Sequence, residues 1–203
     1  MNIKLYKHDL PSKIQFTKSV AIDTETMGLN PSRDRLCLIQ LSSGNNICHL
    51  IKIEKDSPKP KNLIKILKNN KLIKIFHYAR FDVAMLKHNF KVNIKNIYCT
   101  KIASKLTRTF TDKHGYKDLC SELLNVKISK NEQTSDWGKE KLSIAQQKYA
   151  ATDVLYLHTI KKELDKMLFR ENRTNLAKAC FNFIEHRTHL DLEGWAEQDI
   201  FKH

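Results

Sequence analysis

The stretch KSVAIDTETMGL, residues 18–29, decides the fold because it joins a buried strand to a pair of acids. Its apolar run, residues 20–22, is typical of a buried strand, and Asp23 and Glu25 follow at the end of that strand. Side chains alternate across a strand, so Asp23 and Glu25 project from the same face. Two such charges about 4 Å apart repel by roughly 4 kcal/mol at an effective dielectric constant of 20. The pair therefore either splays into solvent or has a positive charge between its members.

The composition indicates a globular protein that attracts polyanions. With 203 residues, of which 41% are hydrophobic, the chain can bury a core, and one domain over residues 1–203 is expected. Lys and Arg number 36 against 22 Asp and Glu, which gives a formal net charge of +14. Such a charge favours binding to nucleic acid. A composition rich in Lys, Ile and Asn can also reflect genome base bias. The net charge alone therefore does not identify a nucleic-acid-binding protein.

The cysteines and the hydropathy pattern exclude several classes of protein. The five cysteines, at positions 37, 48, 99, 120 and 180, are scattered and form no C-x-x-C pair. This spacing predicts neither a disulfide framework nor a zinc site, and it fits reduced thiols in a cytosol. The N-terminus has no apolar core of the signal-peptide kind, and no 18 apolar residues run together. We therefore expect a soluble, cytoplasmic protein without a membrane span.

Hydrophobic periodicity and turn residues predict an α/β fold with a mixed sheet flanked by helices. A meander of successive strands is expected first, followed by one more strand after a short helix, and mainly helices from residue 99 onward. The predicted strands cover residues 2–6, 19–24, 36–43, 46–53 and 71–76. The predicted helices cover residues 63–70, 81–90, 98–106, 116–124, 142–168 and 175–186.

Three further residues could join the first acid pair. Asp82 lies at the start of a helix just after a strand, where a carboxylate serves either as a helix cap or as a ligand. Tyr149 and Asp153 stand at i and i+4 on one helix face, about 6 Å apart, a spacing that also occurs by chance. Together, a strand end, a strand-to-helix turn and a late helix are places from which an α/β fold can direct acids into one pocket.

Four carboxylates in one pocket of a basic protein call for divalent cations. All-oxygen ligation favours magnesium or manganese over zinc, which would require His or Cys at defined spacing. Two such ions about 3.5 to 4 Å apart stabilise both the attacking and the leaving oxygen during displacement at a phosphodiester. A bridging metal would also explain how Asp23 and Glu25 share one strand face.

Three motifs carry a resemblance to a known family. The segments DTETMGL (residues 23–29), HYARFDVAML (77–86) and YAATDVLYL (149–157) resemble the three exonuclease motifs of the DEDD superfamily, in its tyrosine-bearing branch that includes ribonuclease D. The resemblance implies a ribonuclease H-like fold and 3′-to-5′ exonuclease chemistry with two Mg²⁺ or Mn²⁺ ions per site. It implies the metal ligands Asp23, Glu25, Asp82 and Asp153, with Tyr149 beside the attacking water, so that Tyr149 and Glu25 count as catalytic.

The resemblance and the residue types around the motifs suggest substrate contacts, and four of these residues have a structural alternative. The expected contacts are Thr24, Met27, Gly28, Leu29, His77, Arg80 and Trp137. Leu29 matches the position at which related exonucleases wedge an apolar side chain between bases, or it folds over the core. His77 and Arg80 meet substrate phosphates, or they make ordinary structural hydrogen bonds. Trp137 stacks on a base, or it packs in the interior.

The remainder of the chain is similar to the short nanoRNase C family. QTSDWG at residues 133–138 and EGWAEQDIFKH at 193–203 carry this likeness, and the chain is too short for the helical C-terminal domains of full-length ribonuclease D. The likeness implies hydrolysis of very short RNA, chiefly dinucleotides, to nucleoside 5′-monophosphates by a homo-oligomer, in that family an octamer. The tail, residues 190–203, indicates a subunit interface, or alternatively a segment that docks on its own domain.

Two other functions stay open at this point. One is a ribonuclease D-like exonuclease that trims the 3′ ends of longer RNA or DNA, because the chemistry at the 3′ end is the same. The other is a nucleic-acid-binding module that keeps the fold but is catalytically silent. Such a module would bind without metal and release no product, and it would have no physical reason to keep five catalytic-type positions together at an electrostatic cost.

Overall fold

The computed structural model describes residues 1–129 and 131–203. In it the chain forms a mixed sheet flanked by helices, as predicted. The strands are β1 (Asn2–Lys7), β2 (Ser19–Thr26), β3 (Leu36–Ser42), β4 (Ile47–Lys52), β5 (Ile73–Phe76) and β6 (Ile97–Cys99). The helices are α1 (Lys61–Lys68), α2 (Ala79–Phe90), α3 (Thr100–Thr107), α4 (Tyr116–Leu124), α5 (Ile144–Leu155), α6 (Leu157–Arg170) and α7 (Thr174–Leu190). A π-helical turn, Asp191–Trp195, follows α7 and contains Gly194 at a φ of 105°.

The strand order in the sheet is β1-β4-β3-β2-β5-β6. Strands β2, β3 and β4 form the expected antiparallel meander, while β5 and β6 run parallel to β2. The prediction that β1 opens the meander was wrong, because β1 pairs in parallel with β4, with Asn2 opposite Ile47. Both edges of β2 are occupied by β3 and β5, so β1 cannot pair beside β2 and lies instead at an edge of the sheet, next to β4.

The helical half of the chain differs from the prediction at two places. The segment predicted as a helix from residue 98 begins instead with a short strand, β6, and the helix α3 starts at Thr100. The long helix predicted for residues 142–168 is two helices, α5 and α6, separated at Tyr156. No helix within residues 1–129 and 131–203 combines the length and the apolar character that a membrane crossing requires.

The central strands place the carboxyl end of β2 next to the first turn of α2. All seven residues of β3 are buried, because β3 lies inside the sheet and α5 packs across β2, β3 and β4. Strand β5 runs parallel to β2 and leads directly into α2. The carboxyl end of β2, the first turn of α2 and one face of α5 therefore meet at the same edge of the sheet.

Candidate active site

A cavity of about 780 Å³ opens at the end of β2 and contains the acids that the sequence singled out. Its lining includes Asp23, Glu25, Asp82, Tyr149 and Asp153. Strand β2 supplies the first two residues, the first turn of α2 supplies Asp82, and α5 supplies the last two. The fold therefore brings residues from three distant parts of the sequence into one cavity.

Three of the carboxylates are close enough to share a cation. One oxygen from each of Asp23, Glu25 and Asp153 lies within 4.8 Å of the other two. Alternation along β2 places Asp23 and Glu25 on one face, as the sequence predicted, and α5 brings Asp153 to them. Oxygen donors from carboxylates are the ligands that magnesium and manganese prefer, so the donor set fits a divalent cation.

Asp82 joins the site from a buried position in α2. Its carboxylate accepts a hydrogen bond of 2.6 Å from the hydroxyl of Thr24. The N-cap position of α2 belongs to Tyr78 and not to Asp82, so the capping alternative is not what the structure shows. Thr24 is itself buried, and its hydroxyl is engaged by Asp82, which makes it a support for this acid in the present conformation.

The site raises the proton affinity of its acids. Burial raises the pKa of Asp23 to about 7, and a hydrogen bond with the Thr24 backbone opposes this shift. Burial also raises the pKa of Glu25, and the charges of the other three acids add to this shift. The pKa of Asp82 is raised by burial and by the charge of Asp23. A bound cation would relieve this repulsion, because it favours the charged form of every carboxylate.

Gln40 is a member of the site that the sequence analysis missed. It is fully buried in β3, directly opposite Asp23 in the strand register. Its side-chain nitrogen donates to Oε1 of Glu25 over 3.2 Å and lies 3.5 Å from Oδ2 of Asp23. The available signal was the single amide in the otherwise apolar run LCLIQL, residues 36–41, since a buried polar group requires a hydrogen-bond partner.

Tyr149 stands beside Asp153 on α5, as the i, i+4 spacing predicted. Its pKa is raised by burial first and then by the charge of Asp153, with which its hydroxyl also forms a hydrogen bond. The phenol therefore stays protonated at neutral pH and acts as a hydrogen-bond donor. The Tyr149 ring packs at 6.0 Å from the ring of Trp137.

The loop after β2 forms the mouth of the cavity. Met27, Gly28 and Leu29 all line it, and Leu29 is 86% exposed, so this leucine does not fold over the core. A side chain at Gly28 would place its Cβ 2.2 Å from Oδ2 of Asp34, which explains why glycine occupies this position. The exposed Leu29 and Met27 are thus presented to whatever enters the cavity.

The other three expected contacts differ in their placement. His77 lines the cavity, and its Nδ1 atom lies 2.9 Å from the hydroxyl of Thr100. Arg80 lies outside the lining, because its guanidinium forms hydrogen bonds of 2.6 and 2.8 Å with the carboxylate of Asp191. This is the structural alternative, and the predicted phosphate contact of Arg80 is not what the structure shows. Trp137 is only 1% exposed, which favours packing over stacking on a base.

Comparisons with known proteins agree with this geometry. The profile of the 3′-5′ exonuclease family matches residues 7–169. Ribonuclease D of Acidiphilium cryptum is 31% identical over 154 residues, which are 76% of this chain and 39% of that protein. The chain thus spans about two fifths of the length of this curated relative.

Two solved structures are similar over the whole chain. The structure of Brucella melitensis NrnC with bound Mg²⁺ is 53% identical with a TM-score of 0.96, and each chain is covered to 100%. The structure of Brucella melitensis NrnC bound to pGG is 54% identical with a TM-score of 0.96, and it covers 100% of this chain and 99% of that one.

Proposed function

The chain belongs to the 3′-5′ exonuclease family as a ribonuclease D-like exonuclease that resembles nanoRNase C, and on this premise we propose that it degrades very short RNA. The preferred substrate is a dinucleotide, and the products are nucleoside 5′-monophosphates. The observation that carries the proposal is the meeting of Asp23, Glu25 and Asp153 within 4.8 Å. Asp82 and Tyr149 stand in the same cavity of about 780 Å³.

The carboxylates would hold two Mg²⁺ or Mn²⁺ ions. Asp23, Glu25 and Asp153 form the closest donor set, and Asp82 adds a fourth carboxylate to the cavity. Bound there, divalent cations would lower the pKa of a coordinated water and would neutralise the negative charge that develops on the phosphate. Gln40 donates to Glu25 and keeps this carboxylate oriented.

Tyr149 orients the attacking water. Its hydroxyl stays protonated, because its pKa is raised by burial and by Asp153, so it is not a general base. The oxygen of the water forms a bond to phosphorus, while the bond from phosphorus to the 3′ oxygen of the preceding nucleotide breaks. The leaving 3′ oxygen takes up a proton, and the nucleotide at the 3′ end departs as a 5′-monophosphate. One water molecule is consumed for each bond.

Two observations support a short substrate. The cavity volume of about 780 Å³ lies in the range of pockets that enclose small ligands, roughly 300 to 1,000 Å³. A structure of the similar Brucella melitensis NrnC carries pGG, which is a two-nucleotide ligand. Leu29 and Met27, exposed at the mouth, supply apolar surface for the bases, and Thr24, Gly28 and His77 complete the expected contacts, with Thr24 acting through Asp82.

We also propose that the whole segment 1–203 acts as one exonuclease domain and assembles as a homo-oligomer, with an octamer suggested by the family resemblance. The tail docks in part on its own domain, since Asp191 pairs with Arg80 and the ring of Phe201 lies 6.0 Å from that of Phe183. Ile200 and Phe201 nevertheless stay 46% and 67% exposed. Exposed apolar side chains of this size favour a contact with a neighbouring subunit.

Hydrolysis of 5′-labelled RNAs from two to about twenty nucleotides, with Mg²⁺ or Mn²⁺, tests the substrate. We expect the 5′-phosphorylated dinucleotide to react at least about tenfold faster than a seven-mer, equivalent to roughly 1.4 kcal/mol of barrier. Equal rates at all lengths would favour the exonuclease that trims longer RNA or DNA. Metal-independent binding without product would favour the silent binding module.

Light scattering tests the assembly, with truncation before Leu190 and the milder change Phe201→Ser as variants. We expect both variants to weaken assembly and the preference for dinucleotides together, because a neighbouring subunit would close the cavity beyond the 5′ phosphate. Leu176→Ser is the control, because it removes an exposed apolar side chain that lies on α7 and not in the tail. It shows whether the loss of any exposed apolar side chain weakens assembly. A stable, active monomer with unchanged length selectivity would contradict the proposed link.

A further inference from the structure

A tyrosine hydroxyl lies inside the break between α5 and α6. Tyr116, the first residue of α4, donates a hydrogen bond of 2.6 Å to the carbonyl oxygen of Thr152. The same hydroxyl accepts a hydrogen bond of 3.2 Å from the backbone nitrogen of Tyr156. In an uninterrupted helix, this carbonyl and this N–H group, four residues apart, would bond to each other. The Tyr116 oxygen therefore replaces one rung of the helical hydrogen-bond ladder.

This insertion accounts for a break that the sequence pattern did not predict. Apolar periodicity continues through residues 142–168, and this stretch contains neither glycine nor proline. Helix α5 nevertheless ends before Tyr156, whose φ and ψ of −99° and −2° lie at the margin of the helical region, and the chain resumes as α6 at Leu157. A side chain inserted into the i to i−4 ladder is a known physical cause of a sharp helix kink.

The inserted hydroxyl is directly connected to an acid of the site. The Thr152 carbonyl belongs to the peptide group whose nitrogen is that of Asp153, so the hydrogen bond from Tyr116 fixes the plane of this peptide. Asp153 lies in the last turn of α5 and is one of the three clustered carboxylates. The ring of Tyr116 packs against the ring of His77, with 5.7 Å between the ring centroids, and both residues line the same cavity as Asp153.

We propose that Tyr116 is a positioning residue that sets the orientation of Asp153 through the Thr152 carbonyl and the helix break at Tyr156. The proposal rests on the proposed function, because it takes Asp153 as a metal ligand. A hydroxyl suits this role because a single oxygen both donates and accepts a hydrogen bond. Phenylalanine at this position would leave the Thr152 carbonyl and the Tyr156 N–H to bond each other or water. In either case the orientation of the peptide group between Thr152 and Asp153 changes, and with it the direction of the Asp153 side chain.

The variant Tyr116→Phe tests the proposal, because it removes one oxygen atom and keeps the ring. We expect Mn²⁺ binding, measured by calorimetry without substrate, to weaken about tenfold, and kcat on a dinucleotide to fall by a similar factor. The KM should change by less than about twofold, because the groups at the mouth of the cavity are untouched. The matched control is Tyr98→Phe, which removes the hydroxyl of a buried tyrosine that packs against Phe181 and lies outside the cavity lining.

Each outcome decides between the proposal and its alternatives. Mn²⁺ affinity and kcat equal to those of the unaltered protein in folded Tyr116→Phe would overturn the positioning role. Asp153→Asn, measured in parallel, separates this result from a failure of the proposed function, because only that failure leaves Asp153→Asn fully active. If Tyr116→Phe does not fold, NMR of the unaltered protein decides. A nuclear Overhauser contact between the Tyr116 ring ε protons, which do not exchange with water, and the Tyr156 amide proton supports the insertion, and its absence overturns it.

Discussion

The hydroxyl of Thr24 donates a hydrogen bond of 2.6 Å to Oδ1 of Asp82, and thereby joins β2 to α2. Thr24 lies between Asp23 and Glu25, so its side chain projects from the opposite face of the strand. Asp82 is consequently tied to one face of β2 while Glu25 and Asp23 point from the other. The acids surround the end of the strand from both faces, which explains why only three of them form the tightest cluster.

The variant Asp153→Asn should abolish hydrolysis and keep the fold. It removes a negative charge from the cluster while preserving the size of the side chain, and EDTA should have the same effect on the unaltered protein. Rates on a labelled dinucleotide and circular dichroism spectra check both parts. Asp56→Asn, at an exposed position in the loop after β4, is the control and should keep full activity. Robust turnover by folded Asp153→Asn would exclude a metal-binding role for this residue.

The metal-free protein should lose stability as the pH rises. The pKa of Asp23 is raised to about 7 by burial, and those of Glu25 and Asp82 are also raised, whereas in the unfolded chain these groups titrate near 4. The folded state therefore holds more protons in this window, so its extra stability is complete below about pH 4 and declines through pH 7. We expect the Tm in EDTA to be lower by about 5 °C at pH 8 than at pH 5.5.

Two comparisons isolate this effect from the other titrating groups. Magnesium added at pH 8 should raise the Tm, because it replaces the protons as the partner of the carboxylates. Glu25→Gln should show a smaller decrease of Tm between the two pH values than the unaltered protein. The same decrease in both proteins would mean that Glu25 does not contribute to the pH dependence.

The variant Tyr149→Phe should slow the reaction with little effect on metal affinity. It removes only the hydroxyl that orients the water, and we expect a decrease in kcat of about 10- to 100-fold. The metal concentration needed for half-maximal activity should stay within about twofold. Tyr6→Phe, in the edge strand β1 and outside the cavity lining, where the Tyr6 hydroxyl contacts His49, serves as the control. A rate equal to that of the unaltered protein would show that Tyr149 only packs against its neighbours.

The dependence of substrate affinity on salt should be shallow. Each neutralised phosphate of a single strand contributes a slope of about −0.7 in a plot of log K against log salt concentration. A dinucleotide offers few such contacts, although the chain carries a formal net charge of +14. Fluorescence titrations of the Asp153→Asn variant with a labelled dinucleotide measure the slope. A slope that corresponds to six or more contacts would favour a long RNA bound along the basic surface.

The variant Arg80→Gln should lower the Tm by a few degrees and leave the KM for a dinucleotide unchanged within about twofold. Arg80 bonds to Asp191 and to the carbonyl of Ala196, so its loss loosens the segment that follows α7. Arg170→Gln, which removes an exposed arginine paired with Glu171, should leave the Tm unchanged. A large increase in KM for Arg80→Gln, but not for Arg170→Gln, would support the phosphate contact that the sequence suggested for Arg80.

The sequence predicted the parts of the site that depend on local patterns. Strand alternation placed Asp23 and Glu25 on one face, and helix spacing placed Tyr149 beside Asp153, because both follow from fixed backbone periodicities. The role of Arg80 could not be predicted in the same way. Its partner Asp191 is 111 residues away, and no local rule connects the two side chains.

The missed features also depend on tertiary contacts. Gln40 belongs to the site because β3 lies next to β2, and strand order is not contained in the pattern of a single strand. The break at Tyr156 depends on the hydroxyl of Tyr116, which reaches it from another helix. A periodic sequence predicts where a helix can form, while only the packed structure shows what interrupts it.

The parallel pairing of β1 with β4 has a consequence for folding during synthesis. Strand β1 leaves the ribosome before its partner, which follows only after β2 and β3, so β1 must stay unpaired in the meantime. Pairings between segments distant along the chain also form slowly. A waiting strand can join an identical strand of another nascent chain, and lysines on an edge strand oppose such pairing by charge repulsion. Lys4 and Lys7 place positive charge on β1, and we expect this charge to oppose such pairing until β4 has been synthesised.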